Sequence, residues 1–389
     1  MSTINRNSPI SVMRFKAFFC VSLCTWIFGC VDPYLSPDIK VPVALFVVDG
    51  YINVSSNSAT IRLSQAVPLD TTVITNPIGG ATVWIESDDN TNIFLSEQAV
   101  GSYGISDVAF DMNAHYRLHL KISNDEYASD YVELKRTPEL DSVTYRQEDD
   151  ALRIAVNTHT PDNSGRYFKW DYVETWEYET SLVSNYKLVG DQPIHRTAEE
   201  YITRCYGTND SKRILISNTA SLSQDVVRDF PITVVPGGTF QLTRRYSINV
   251  KQRALANSEY QYWLQLQRTS ESLGTLFDPQ PGQVTGNIHN INNDEVVLGY
   301  FGGGEVVEKR LFINFGDLPD RLKTINMKAI CTSLDRILIL LEDLKNANGM
   351  ILLDPFALST GPIIGYDATF PRCADCTLFG GVTQKPDFW

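Results

Sequence analysis

The segment YFKWDYVETWEYE, Tyr167 to Glu179, is an uninterrupted alternation that decides the class of fold. Side chains two residues apart in a β-strand lie on the same face. One face of this strand is therefore strongly aromatic and consists of Phe168, Trp170, Tyr172, Glu174, Trp176 and Tyr178. Such a face is typical of the packed inner surface of a β-sandwich. It can also stack on sugars or clamp a peptide, which makes Trp170 and Trp176 candidate ligand or partner contacts.

Shorter runs of the same kind fill the sequence before this strand. Turn-forming residues such as Asn57-Ser58 and Asn124-Asp125 separate them. The runs are Leu45 to Ile52, Ala59 to Val67, Ala81 to Ser87, Asn92 to Glu97, Ala114 to Ser123 and Tyr127 to Lys135. A series of strands with no helical pattern between them predicts an antiparallel sandwich over residues 43–137, immunoglobulin-like or transthyretin-like.

The run Ala114 to Ser123 places two histidines and two basic residues on one face. These are His115, Arg117, His119 and Lys121. The ordinary interpretation is a sheet face in contact with solvent, and the alternative is a patch that binds an anion or a metal. A second motif, Gly302-Gly303-Gly304, is interpreted as a turn or bulge at a strand end, or as a backbone cradle for an anion.

A boundary falls at Thr137-Pro138, because proline ends a strand ladder. Residues 138–389 are predicted to form a larger β-rich domain with two inserted α-helices. The first helix runs through Ala256 to Gly274 and the second through Thr332 to Asn348, each with apolar residues at helical spacing and a terminating glycine nearby. The predicted fold class is therefore mainly β, with an N-terminal sandwich followed by this second domain.

Length and charge narrow the classes of function. The chain has 389 residues and a formal net charge of -13, and at roughly 100–200 residues per domain this length predicts about two domains. A strongly negative protein is a poor partner for phosphate backbones, so nucleic acid is excluded as a ligand.

The N-terminus has the pattern of an export signal. Arg14 and Lys16 precede an apolar run from Ala17 to Phe28, which is too short for a transmembrane helix and ends at Gly29-Cys30. A small residue directly before a cysteine is typical of lipoproteins, so Cys30 is the predicted lipidation site. The alternative is an ordinary secreted protein. Translation starts at Met1 or at Met13.

The export-signal interpretation divides the first 42 residues into two parts. Residues 1–29 are the predicted lipoprotein signal peptide, and residues 30–42, rich in proline, are a predicted extended tether. A lipid on Cys30 would anchor the protein to a membrane without any basic patch.

Four further cysteines follow, and an exported chain is expected to pair them. They are Cys205, Cys331, Cys373 and Cys376. Four cysteines allow three connectivities. A bridge between Cys373 and Cys376 would close a very small loop and stabilise least, so pairing over long distances is favoured; the alternative joins Cys205 to Cys331 and leaves the local pair. Zinc binding or redox chemistry at Cys373-x-x-Cys376 lacks the necessary neighbours in sequence.

No common catalytic motif is complete. The sequence contains no nucleophile elbow, no zinc-protease motif, no phosphate loop and no dinucleotide fingerprint. The prediction is therefore a protein that is not an enzyme, with no catalytic residues, no metal and no cofactor.

The last residues, CADCTLFGGVTQKPDFW from Cys373 to Trp389, carry a family resemblance. They resemble the closing motif of a Bacteroidota outer-membrane lipoprotein family known as domain of unknown function 4249. Segments in the same order along the chain, such as PIGGATVWI and TLFDPQPGQVTGNIHN, extend the resemblance over residues 30–389.

The resemblance implies an outer membrane lipoprotein, lipid-anchored, that acts as an accessory or ligand-capture partner of a TonB-dependent transporter in nutrient uptake. A glycan or a peptide is the expected ligand. The alternatives are a structural protein of the cell envelope and an unrecognised glycan or peptide hydrolase. Phe388 and Trp389 are expected to be pinned into the second domain, and the alternative is that they contact a partner.

Overall fold

The computed structural model describes residues 45–66, 76–161, 165–271, 284, 286–322, 331–347 and 349–389. Leu45 to Trp389 form one compact unit. The predicted signal peptide, Cys30 and the tether lie outside the described residues. Strands predominate in the described part, so the predicted mainly β class is confirmed.

The strands of the first half have these bounds: β1 (Phe46–Asn53), β2 (Ser58–Gln65), β3 (Asn76–Pro77), β4 (Thr82–Ser87), β5 (Asn92–Ala99), β6 (Ser102–Ile105), β7 (His115–Ile122), β8 (Asp125–Ser129), β9 (Val132–Glu133), β10 (Leu140–Glu148), β11 (Ala151–His159) and β12 (Tyr167–Glu179).

The second half adds the following strands: β13 (Tyr186–Val189), β14 (Gln192–His195), β15 (Arg204–Asp210), β16 (Leu215–Asn218), β17 (Val226–Pro236), β18 (Arg245–Ala254), β19 (Ile288–Asn290), β20 (Val297–Gly304), β21 (Val307–Asn314), β22 (Ile337–Leu340), β23 (Ile351–Ala357) and β24 (Ile363–Thr369). Two α-helices are described, α1 (Asn257–Glu271) and α2 (Pro371–Ala374).

The first sheet follows the order β19-β8-β7-β4-β5-β6-β2-β1-β20, with β3 beside β2 and β9 beside β7. Alternate residues of its strands, such as Val48 and Ile52 of β1 and Leu118 and Leu120 of β7, enter one shared core. The sheet thus wraps around its own apolar face, which is the sandwich arrangement expected from the alternation.

Strands β19 and β20 correct the assignment of residues 288–304 to the second domain. Strand β20 runs parallel to β1, and β19 pairs with β8. The chain therefore returns to the first sheet after building most of the second region. The Gly302-Gly303-Gly304 motif lies inside β20 instead of in a turn at its end. A Cβ at Gly303 would lie 2.5 Å from a methyl carbon of Leu134, so only glycine fits this close packing.

The second region is also built from two packed sheets. One has the order β10-β11-β17, and the other has the order β15-β12-β18-β21 with β16 beside β12. Their facing sides share a core that contains Ile154 from the first of these sheets and Phe168, Trp170 and Ile248 from the second. The aromatic face of β12 is therefore the inner face of a sandwich.

The first predicted helix is confirmed as α1, and the second is wrong. Residues 332–347 form short 3-10 turns around strand β22, which pairs antiparallel with β24. A disulfide joins Cys331 to Cys373, just beyond β24, and so holds the start of this segment beside that strand. The helical spacing of the apolar residues is overridden by this tertiary pairing. Strand β22 is the edge of a small sheet with the order β22-β24-β23.

Candidate functional site

Both disulfides join residues that are distant in sequence. Cys205 of β15 pairs with Cys376, and Cys331 pairs with Cys373, with Cα atoms 5.7 Å and 5.6 Å apart. The favoured long-range pairing is confirmed, and the local bridge between Cys373 and Cys376 does not form. As a result the chain after β24 is held against the end of the sheet that contains β12 and β15.

The C-terminal tail continues across the outer face of this sheet. Val382 pairs with Tyr206 through two backbone hydrogen bonds of 2.8 and 3.0 Å. The indole Nε1 of Trp389 donates to Glu177 Oε2 at 3.2 Å, and the guanidinium of Arg245 lies 5.3 Å from its ring centroid. The prediction of a pinned tail is therefore confirmed. Phe388 stays 43% exposed, and its role as a partner contact remains a prediction.

The two tryptophans proposed as ligand contacts belong to the packing of the second sandwich. Trp170 has no exposed surface, stacks on Phe230 at 4.4 Å and donates to Gln252 at 2.8 Å. Its assignment as a ligand contact is wrong, because the opposing sheet covers this face of β12. Trp176 is half-buried and packs against the same core.

The histidine face of β7 is exposed to solvent at His115 and Lys121, as expected, but it is buried at His119. His119 is 8% exposed, stacks on Trp84 with ring planes 5° apart, and contacts Glu86 through Nε2 at 2.6 Å. Arg117 binds the same carboxylate in a bidentate pair. These groups bind one another across β4 and β7. No cluster of three or more metal-binding side chains occurs in the described ranges.

A cleft of about 960 Å³ lies where β12 and β15 end, between the tail and the segment after β14. Its aromatic and apolar lining comes from Tyr201, Tyr206, Phe315 and Val183. Its polar lining comes from Thr180, Ser181, Thr203, Thr243, Thr383 and Gln384, and its charged lining from Glu179, Glu199, Arg204 and Arg244.

Two carboxylates and two guanidinium groups form a closed network, and three of these four groups, Glu179, Arg204 and Arg244, line the cleft. Arg204 and Arg244 each contact Glu179 at 2.6 Å, and they contact the nearly buried Glu177 at 3.3 and 3.2 Å. Antiparallel pairing brings these groups together, because Glu179 lies opposite Arg204 in the register of β12 and β15. Trp389 completes the network through its bond to Glu177.

The pKa values of three groups that line the cleft depart from their usual values. Burial by itself would lower the pKa of Arg204, but its hydrogen bond to Glu179 raises that pKa above the usual value. The pKa of Glu199 is lowered by backbone and Thr197 hydrogen bonds, and burial raises the pKa of Tyr206. None of these shifts moves a group toward proton exchange near neutral pH.

Sequence reasoning missed this site. Its residues come from segments about 200 positions apart, which the disulfides and the tail bring together. One local signal existed: Glu177 and Glu179 both alternate onto the outer face of a strand whose inner face is aromatic. Carboxylates at the end of such a strand indicate that its outer face contacts polar groups.

A family model described as "Domain of unknown function (DUF4249)" matches residues 32–310. The chain belongs to this family. The match confirms the resemblance drawn from the sequence, although the closing motif at Cys373 to Trp389 lies beyond the matched residues. No curated protein matches the DUF4249 chain.

Two solved structures are similar at a low level. One is a candidate carbohydrate-binding protein of Bacteroides uniformis, 6% identical over 55% of this chain and 90% of its own, with a TM-score of 0.15. The other is the adhesin InvE of Yersinia pseudotuberculosis, 11% identical over 83% of this chain and 72% of its own, with a TM-score of 0.15. At these scores neither likeness carries an argument about the DUF4249 chain.

Proposed function

We propose that this DUF4249 protein is a non-catalytic lipoprotein of the outer membrane that captures a glycan in the cleft and serves a TonB-dependent transporter as an accessory protein. The observation that carries the proposal is the closed network of two guanidinium groups and two carboxylates, of which Glu179, Arg204 and Arg244 line the same cleft as several aromatic rings. Such a network is rigid and electrically balanced before any ligand arrives.

A neutral ligand rich in hydroxyl groups suits these features best. Each guanidinium has five N–H donors, and each carboxylate offers more acceptor positions than its partners use. Threonine hydroxyls around the network add further donors and acceptors. The C–H faces of a sugar ring pack on aromatic rings such as those of Tyr201 and Phe315, which line the same cleft. A charged ligand would have to displace one of the ion pairs.

Hydrolysis is the less favoured alternative for the cleft. Glycoside hydrolases need two carboxyl groups with different roles, and one of them has to hold a proton near neutral pH. Here Glu177 and Glu179 share the same two guanidinium groups, so the two carboxylates lack the different surroundings that separate an acid from a base. This arrangement favours binding over acid catalysis.

The membrane setting rests on the N-terminal sequence. The pattern that ends at Gly29-Cys30 and the acidic body, with a formal net charge of -13, support attachment by lipid and not by charge. In the part of the chain that the structure describes, no helix is long and apolar enough to span a bilayer.

Calorimetry with the full chain and a panel of neutral oligosaccharides tests glycan capture. Arg244→Gln should weaken binding at least about tenfold, or 1.4 kcal/mol. Arg146→Gln is the matched control, because Arg146 also forms an ion pair, with Asp229 at 2.8 Å, but lies away from the cleft. Failure of every sugar to bind, or equal losses in both variants, would reject the proposal. Sugar cleavage during the titration would favour the hydrolase.

Association with the transporter needs its own test. Solubilised membranes are passed over the full chain carrying a tag in an internal loop, and an outer-membrane barrel should be recovered with it. Recovery of the lipoprotein alone would favour the structural-protein alternative. A Cys30→Ala variant should lose membrane attachment, and its persistence in the membrane fraction would contradict the predicted lipidation.

A further inference from the structure

The edge strand β22 is unusually apolar for a strand whose outer edge is not paired with any described strand. Leu334, which precedes it, is 91% exposed, and Ile337 and Leu338 are each 43% exposed. Leu340 and Leu341 continue the exposed series. Among the described strands β22 pairs only with β24, so no described strand pairs with its other edge.

One face of this small sheet carries apolar side chains beside the ion pair of Arg336 and Asp367. Leu338 and Leu340 lie on the same face as Gly365 of β24 and the half-buried Phe356 of β23. A Cβ at Gly365 would lie 2.3 Å from the carbonyl oxygen of Ile339, so glycine is needed where the backbones of β22 and β24 approach each other. On the opposite face Ile339 and Tyr366 pack into a core, whereas Ile337 stays exposed.

Strand edges of this kind are normally protected. Natural proteins place charges, proline or bulges on edge strands to prevent pairing with other chains. None of the four residues of β22 is charged or proline. Apolar side chains left in water cost free energy in proportion to their area, so an open apolar edge indicates an interaction surface.

The charges around the edge are mostly acidic and argue against a second copy of this chain. Glu342 and Asp343 are exposed just after β22, Asp335 lies just before it, and Asp367 lies opposite Leu338 on the neighbouring strand. Arg336 is paired with Asp367 at 3.4 Å. A symmetric contact would bring two acidic rims together.

The apolar area is also too small for a stable dimer. The five exposed side chains present on the order of 400 Å² of apolar surface, so a symmetric pair would bury roughly 800 Å², below the about 1,200 Å² of a specific interface. Strand addition needs less side-chain area, because main-chain hydrogen bonds supply much of the affinity.

We propose that β22 is a docking strand for an extended segment of a partner protein. The segment adds to the free edge of β22, places apolar residues at alternate positions against the Leu338 and Leu340 face, and carries lysine or arginine at its flanks. This inference goes beyond the proposed glycan cleft, since it names a different surface and the chemistry of a protein partner.

Photo-crosslinking in cells that express the full chain tests the proposal. Leu338 is replaced by photoreactive p-benzoylphenylalanine, and Phe94, which is 61% exposed on the first sheet, receives the same residue as the control. Mass spectrometry of the crosslinked peptide should identify one segment of another protein with alternating apolar residues and basic flanks. A second copy of this chain, a lipid, an acidic segment, no product, or the same product from position 94 would overturn the proposal.

The captured segment is then synthesised and its affinity is measured by fluorescence anisotropy. Leu338→Lys should weaken binding at least about tenfold, because it places a cation and a polar group against an apolar, basic-flanked strand. Leu334→Lys should weaken it in the same direction, and Phe94→Lys should leave it unchanged. Equal affinities for all the proteins would overturn the assignment of β22. If the protein binds the segment but no glycan, only the proposed glycan binding in the cleft is rejected, and the docking strand stands.

Discussion

Removing each disulfide separately should produce two different losses of stability. The two double variants are Cys205→Ser with Cys376→Ser, and Cys331→Ser with Cys373→Ser. The first bridge closes 171 residues and the second closes 42. Cross-linking lowers the entropy of the unfolded chain by an amount that grows with the logarithm of the loop length.

The structure allows the difference to be worked out. The chain-entropy model gives about 5 kcal/mol for the longer loop and about 4 kcal/mol for the shorter one. All four cysteines are at most 2% exposed, so each variant buries two new hydroxyl groups and this cost largely cancels between the variants. The free energy of unfolding should therefore fall more for the Cys205 variant, by about 1.2 kcal/mol.

Urea unfolding followed by tryptophan fluorescence measures both losses under the same conditions. The linear extrapolation supplies the free energies, and an unchanged slope shows that the variants unfold to comparable states. A larger loss in the Cys331 variant would refute the loop-length reasoning. A Cys373–Cys376 peptide in a non-reducing digest would refute the pairing itself, because that loop should contribute only about 1.6 kcal/mol.

Three further predictions concern packing and charge. Trp389→Ala should lower the free energy of unfolding by about 1–2 kcal/mol and expose the tail to carboxypeptidase, because the indole loses ring contacts and one hydrogen bond; an unchanged digestion rate would contradict the pinned tail. Burial would raise the pKa of the Glu86 carboxyl group, but hydrogen bonds from Arg117 and His119 lower it below the usual 4.5. The ionised carboxylate therefore stabilises the folded protein above pH 4.5, and this stabilisation is lost as the pH falls through the lowered pKa. Glu86→Gln should therefore lose less stability than the parent between pH 7 and pH 3 in urea titrations, and parallel losses would argue against this linkage. Gly303→Ala should cost about 1–3 kcal/mol through overpacking, whereas Gly316→Ala, with open space around its Cβ position, should cost little in the same assay.

Local patterns predicted those parts of the fold that depend on neighbouring residues. The alternation of Tyr167 to Glu179 predicts strand β12 with an aromatic face, because side-chain direction in a strand follows residue parity alone. The helical spacing around Tyr260 predicts α1 for a similar reason. Spacing also favoured long-range disulfides, since Cys373 and Cys376 are too close in sequence for a strongly stabilising bridge.

Tertiary structure decided what local patterns leave open. Residues 332–347 carry helical spacing, yet β22 forms because a disulfide and the pairing with β24 hold the segment extended. The alternation favoured a packed core for Trp170 and left a ligand contact open, and the opposing sheet, which covers it, decides for the core.

The sequence by itself determined the mainly β class and the long strand β12, because these follow from local periodicity. It also indicated the family, through the resemblance of motifs such as the closing segment from Cys373 to Trp389. Only the tertiary structure decided that β20 returns to pair with β1 and that Arg204, Arg244 and the tail meet at one cleft. Contacts between residues hundreds of positions apart depend on how whole sheets pack, and no local pattern records which sheets will meet.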